Sequence, residues 1–268
     1  MSLAPKSFEF ALDAGVGIVT LSRPDRLNAL TFEVYRELTE FFEDLGGHEE
    51  VRAAVLRGRG KAFCSGGDVD EIIRPLLGYD MKQLLDFTRQ TGALIRAIRR
   101  CPVPVIAAIQ GVAVGAGAVI ALACDMRVCG PKARFGFIFP QVGLSGADMG
   151  AAYLLPRVVG LGHASELLFT GEIIDVDRAL EMGLVTRKVA AGEEETEAIA
   201  LARRLAAGPA FAHRMTKRMI ENEASMSLEE AIEAEAQAQA LCMQHPDFRI
   251  AHEAFKTKAS PKFTGAPE

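Results

Sequence analysis

The stretch PVIAAIQGVAVGAGAVIALACDMRVCGPKARFGFIFPQVGLSGADMG, residues 104–150, decides how this chain is read. Its apolar run at 105–109 predicts a buried strand. The glycine-spaced segment 111–117 predicts a turn, and an apolar helix is expected from about 116 to 124. A strand that turns on glycines into a helix aims free backbone N–H groups at whatever lies in front of it. Glycine also lets a ligand come close to the backbone. This turn is therefore a candidate for half of an oxyanion hole.

Towards the amino terminus, KAFCSGGD at 61–68 repeats the arrangement. It is a second glycine turn, placed after an expected strand at 53–57 and before an expected helix at 69–73. Earlier still, strands at 8–12 and 17–21 flank Asp13-Ala14-Gly15 and predict a β-hairpin. The loop Leu27-Asn28-Ala29-Leu30 leads into a helix over 32–45, capped by Thr31, with Leu38, Phe41, Phe42 and Leu45 on its apolar face. A further helix spans 79–100 and stops at Cys101-Pro102-Val103-Pro104.

Beyond the opening stretch, strands are expected at 127–129 and 134–137, and helices at 146–155, 163–168 and 175–182. Gly183 is the C-cap of the last of these, and a strand follows at 184–189. From residue 193 the strand pattern ends. Three helices, 198–207, 210–223 and 228–244, are rich in alanine and charge. The change near Ala190 divides the chain into an α/β core at 1–190 and a helical region at 191–268.

Composition narrows the function. The chain has 268 residues, 49% of them hydrophobic, which is enough for a full core. A formal net charge of −5 argues against a broadly basic nucleic-acid surface. The five cysteines, Cys64, Cys101, Cys124, Cys129 and Cys242, form no CxxC pair and no zinc-type cluster. Buried thiols in a reducing, cytoplasmic setting are expected. MSLAPKSFEF has no signal-peptide core, and the apolar run at 112–124 is too short and glycine-rich to span a bilayer.

Taken in order, several segments resemble the enoyl-CoA hydratase/isomerase (crotonase) superfamily. They are RPDRLNAL at 23–30, KAFCSGGDV at 61–69, PVPVIAAIQGVAVGAG at 102–117, LACDMRVC at 122–129, the FG at 135–136, LPRVVG at 155–160, FTGEIIDVDRALEMGLV at 169–185 and the tail AFKTKASPKF. The resemblance implies an α/β fold, a crotonase-like spiral of ββα units with a C-terminal helical module. It also implies acyl-CoA thioester substrates, with no further cofactor and no metal, and assembly as a homotrimer or dimer of trimers. Two backbone amides hold the thioester oxygen in the family, and the matching positions are Gly67 and Ala116. Each such donor is worth roughly 3–4 kcal/mol to a transition state. The binding positions implied are Arg26, Leu27, Ala29, Ala62, Ser65, Gly66, Gly67, Asp68, Val69, Ala116, Phe139, Val142 and Gly143. Lys258 and Phe263 belong to a tail that covers the CoA, of the same or a neighbouring subunit.

The sequence departs from the family where hydratases carry two glutamates. Those positions are Val119 and Phe139, which cannot transfer protons. One carboxylate remains nearby, Asp148 in GLSGADMG, in a loop comparable to one that carries an acid in dienoyl-CoA isomerases. Its two readings are an acid/base for isomerisation or atypical hydration, and a turn or cap residue. Asp125 is expected to be structural, Asp68 to cap the helix at 69–73, and Cys64 to be a packed thiol. The resemblance leaves other reactions of a held oxyanion open: thioester hydrolysis, carbon–carbon cleavage, or acyl-CoA binding without turnover.

Overall fold

The computed structural model describes residues 5–265. The first four residues of the amino-terminal stretch read above for a targeting signal lie outside them. The chain begins with β1 (Glu9–Asp13), β2 (Val16–Leu21), α1 (Phe32–Asp44) and β3 (Ala53–Gly58). A helical turn at Val69–Ile73 runs into α2 (Arg74–Leu76), then α3 (Met81–Arg100). Next come β4 (Val105–Ile109), β5 (Val112–Val114), α4 (Ala116–Ala123), β6 (Met126–Cys129) and β7 (Arg134–Gly136). They are followed by α5 (Ala151–Val159), α6 (Leu161–Thr170), β8 (Ile173–Asp175), α7 (Val176–Glu181) and β9 (Arg187–Lys188). Helices α8 (Glu194–Ala206), α9 (Ala210–Glu223), α10 (Leu228–Gln244) and α11 (Pro246–Thr257) complete the chain.

The strands form two sheets, a six-stranded one in the order β1-β2-β3-β4-β6-β9 and a three-stranded one in the order β5-β7-β8. In the first, all neighbours after the β1–β2 hairpin run parallel. The chain steps from one sheet to the other at β4–β5 and again at β6–β7, with α4 between. That is the ββα spiral expected from the resemblance. Parallel strands covered on both faces need apolar residues throughout, and β4 is buried along its whole length. On one face Val55, Ile106, Ala108 and Val128 meet Ala198, Leu201 and Ala202 of α8. On the other, the sheet joins a larger core that includes Leu38, Phe42, Ile98, Val119 and Ile120. Helix α4 is buried on every side, as an all-apolar helix must be.

The hairpin turns at Ala14 and Gly15, both left-handed (φ +46° and +77°). Helix α1 is capped as expected, with Thr31 Oγ1 accepting from Val34 N at 3.3 Å. Several boundaries differ from the expectation. The segment 111–117 is not all turn, because it contains β5, which is too short to show a period. The helix expected at 146–155 starts only at Ala151, because Met149 and Gly150 are left-handed (φ +50° and +89°). It then continues past Leu155 to Val159. The strand expected over 184–189 is reduced to Arg187–Lys188, and β8 was not anticipated. Helix α11 was not anticipated, and Pro246 occupies its first turn, where a missing N–H costs nothing.

Side chains from α3 and α9 tie the late helices to the core. Lys217 on α9 is buried, and its Nζ donates to Ile98 O (3.2 Å), Val103 O (3.0 Å) and Asp125 Oδ2 (2.8 Å). Asp125 Oδ2 also accepts from Val105 N at 2.7 Å, the structural role expected for it. The tail folds back as well. Thr264 N and Oγ1 donate to Asp247 Oδ1 (2.7 and 2.8 Å), and Arg52 Nη1 donates to Thr264 O (2.8 Å).

Candidate active site

The second sheet continues beyond β5 into the glycine turn at 61–68. Cys64 N donates to Val112 O (3.1 Å), and Val114 N donates to Cys64 O (3.0 Å). Leu30 N donates to Gly66 O (2.8 Å), and Asp68 N donates to Leu30 O (2.9 Å). This pairing uses the groups on either side of Gly67 and leaves the Gly67 N–H on the edge away from Leu30. Gly66 is left-handed, with φ +95°. A methyl group there would lie 3.1 Å from Val114 O and 3.5 Å from Ala116 N, so the two glycine turns touch at this point.

Across the contact, Gly115 adopts φ +54° and ψ −125°, and Ala116 is the first residue of α4. Neither the Gly67 N–H nor the Ala116 N–H donates a hydrogen bond among the described residues. Ala116 N also lies at the positive end of its helix, which favours negative charge. Gly117 presses against Cys64, where a Cβ would come within 2.2 Å of the Cys64 carbonyl oxygen. Gly117→Ala must therefore push α4 off the 64–67 turn. It is expected to cost about 1–3 kcal/mol in a denaturant titration and to lower activity through the misplaced amides.

Asn28 orders the near side of the site, a role the sequence reading did not assign. It is buried and left-handed (φ +57°). Its Nδ2 donates to Arg59 O (2.9 Å) and Ala62 O (2.8 Å), and its Oδ1 accepts from Arg23 N (3.0 Å). The loop 23–30 is thereby locked to the loop 59–67. Asp68 caps the turn at Val69–Ile73 as expected, accepting from Asp70 N (3.0 Å) and Glu71 N (3.1 Å). Burial pushes its carboxyl up, but those amides and Arg23 outweigh it and hold it below the usual carboxylate range.

Val119 and Phe139, the positions where the resemblance places the hydratase glutamates, are buried carbon, Val119 fully enclosed and Phe139 nearly so. Asp148 is half-buried. Its Oδ1 accepts from its neighbour's amide, Met149 N, at 2.9 Å, and Oδ2 has no partner among the described residues. Burial raises its pKa, and the Met149 amide offsets this only in part. Burial also pushes the Cys64 thiol up to about 12, so it stays neutral and packed.

Of the remaining expected residues, Ala29 and Ala62 are buried, while Leu27 and Ser65 are half-buried beside the turn. Arg26 is exposed and pairs with Asp70 at 3.4 Å. Val69, Val142 and Gly143 are on the surface. Lys258 caps α11, and Phe263 lies beside Thr264, whose anchor Arg52 precedes β3. The tail is thus held at the amino-terminal end of that strand. Arg26 follows the carboxy-terminal end of β2, the glycine turn at 64–67 follows that of β3, and Gly115 follows that of β5.

The chain matches the enoyl-CoA hydratase/isomerase family over residues 11–266. It is 33% identical over 257 residues to the 1,2-epoxyphenylacetyl-CoA isomerase of Escherichia coli K12, covering 95% of this chain and 97% of that protein. It is 35% identical over 259 residues to a probable enoyl-CoA hydratase of Rhodobacter capsulatus, covering 97% and 98%. A crystallised Streptomyces coelicolor A3(2) protein with an enoyl-CoA hydratase designation superposes with a TM-score of 0.96 at 51% identity, covering 99% of this chain and 96% of that one.

Proposed function

Because this chain belongs to the enoyl-CoA hydratase/isomerase family, we propose that it binds an acyl-CoA thioester where its two glycine turns meet and shifts a double bond along the acyl chain. The observation that carries the reading is the set of groups present. The amides of Gly67 and Ala116, in two turns that touch, donate to nothing among the described residues; Val119 and Phe139, matched by resemblance to the glutamate positions, carry no acid; and half-buried Asp148 has no partner for Oδ2 among the described residues.

The thioester oxygen accepts from Gly67 N–H and Ala116 N–H. Asp148 takes a proton from the α carbon of a 3-enoyl-CoA. The C–H electron pair moves into a dienolate whose charge rests on the oxygen held by the two amides. The protonated Asp148 then returns its proton to the γ carbon, and the product is the 2-enoyl-CoA. Atoms and charge balance with no co-reactant. Burial raises the Asp148 pKa, which brings its basicity closer to what carbon acids require. Atypical hydration uses the same amides, with Asp148 activating water instead. Lys258 and Phe263 would cover the CoA of a neighbouring subunit in a homotrimer or dimer of trimers, since their own tail is anchored at the far end of β3.

The test is a mass-spectrometric and ultraviolet assay on 3-enoyl-CoA substrates that follows isomerisation, gain of water and release of CoA together. The reading expects isomerisation to dominate. Release of CoA as the main product would replace it with hydrolysis. The pH dependence follows from the sign of the shift. Asp148 works only when ionised and its pKa is raised. Activity should therefore fall, as pH is lowered, at a higher pH than an ordinary aspartate would set. An acid limb at or below the ordinary aspartate value would remove Asp148 from the role of base.

A further inference from the structure

A cavity of about 420 Å³, within the range of small-molecule sites, lies between α3, α5 and α9. One wall is a single face of α3, where Thr88, Gly92, Ile95, Arg96, Arg99 and Arg100 recur at helical spacing. The other wall is Met149, Gly150, Tyr153 and Leu154, and α9 contributes Glu221. Ile95 and Met149 are buried. A methyl group on Gly150 would lie 3.9 Å from Ile95 Cγ2, so the two walls meet in carbon.

The charge here is one-sided. Three arginines face one carboxylate, in a chain whose formal net charge is −5. Arg99 is already committed, since its Nε and Nη2 donate to Glu221 Oε2 at 2.9 and 2.6 Å. Arg96 and Arg100 are exposed and make no ion pair or side-chain hydrogen bond among the described residues. Gly92 leaves space for Arg96. A methyl group on Gly92 would lie 3.6 Å from Arg96 Nη1, so the guanidinium turns back along α3 over the glycine. Arg157 covers the Tyr153 ring at 3.6 Å from its centroid and adds positive charge to the second wall. Two arginines on a flat face would simply be solvated. These two border a concave site with carbon at its base, where charge of one sign is focused.

We propose that this cavity binds a small organic acid, whose carboxylate pairs with Arg96 and Arg100 while its hydrocarbon part lies on Ile95, Met149 and Leu154. The planar guanidinium matches a carboxylate in shape as well as charge, as the Arg99–Glu221 pair already does at the same wall. The carbon surface gives a bare inorganic anion nothing to replace its water. The inference goes beyond the acyl-CoA reading above and does not depend on it.

Calorimetric titration of the full chain with hexanoate, hexanol and inorganic phosphate tests the assignment. Hexanoate is expected to bind at least about 10-fold more tightly than either of the others. Replacing both free arginines, as Arg96→Gln with Arg100→Gln, removes two exposed charges and should weaken hexanoate roughly 10- to 100-fold. Gly92→Leu keeps every charge, favours the helix and fills the cavity, and it should weaken hexanoate to a similar degree. Thermal melting near that of the parent is expected for both variants. Equal binding of hexanol or of phosphate by the parent overturns the choice of an organic carboxylate. Hexanoate binding that survives in either variant overturns the location, and failure of the parent to bind hexanoate overturns the proposal outright.

Discussion

Asp148→Asn is expected to lower kcat for the double-bond shift by about 10²- to 10⁴-fold, the usual contribution of a positioned general base. Asparagine keeps the shape and can still accept from Met149 N, but it cannot carry a proton between two carbons. Acyl-CoA binding should persist, because the amides that hold the thioester are untouched. Stability should move the other way. Burial raises the folded-state pKa of Asp148, so its ionised form is disfavoured in the fold relative to the unfolded chain. The resulting destabilisation is absent below the unfolded pKa and complete above the folded one. A neutral amide removes it, so Asp148→Asn should melt no lower than the parent at neutral pH. A variant that is less active yet at least as stable cannot owe its loss to misfolding. Activity equal to the parent would return Asp148 to the role of a turn residue.

The second large effect comes from deleting one amide. Ala116→Pro removes the N–H at the first residue of α4, a helical position where proline is well tolerated. The preceding Gly115, at ψ −125°, is clear of the α region that a following proline forbids. The expected cost is about 10²- to 10³-fold in kcat, or roughly 3–4 kcal/mol, the size of one oxyanion donor. Near-parent thermal stability should accompany it, since the lost proton bonds nothing in the protein itself. A near-parent kcat would show that Ala116 N is a bystander.

Much of this was legible in the chain because the signals are local. Thr31 before an apolar stripe, Ala14-Gly15 between alternating strands, and Gly66-Gly67 and Gly115 after buried strands all mean what short-range chemistry says they mean. The misses are features without a local period. β5 is three residues hidden between glycines, and it gains its identity only by pairing with β7 and Cys64. Met149 is a non-glycine residue in a left-handed conformation that tertiary packing imposes, which delays α5. Pro246 can stop a helix or start one, and the outcome depends on the chain before it. Asn28 was passed over for a different reason. An asparagine in a loop looks ordinary until its partners are known.

The most direct measurement is a crystal structure with an unreactive acyl-CoA thioester in place. The thioester oxygen should lie about 2.7–3.1 Å from both Gly67 N and Ala116 N, the span expected of oxyanion donors, with Asp148 facing the acyl carbons. A thioester oxygen bonded elsewhere, with these two amides left to water, would contradict the account at its root.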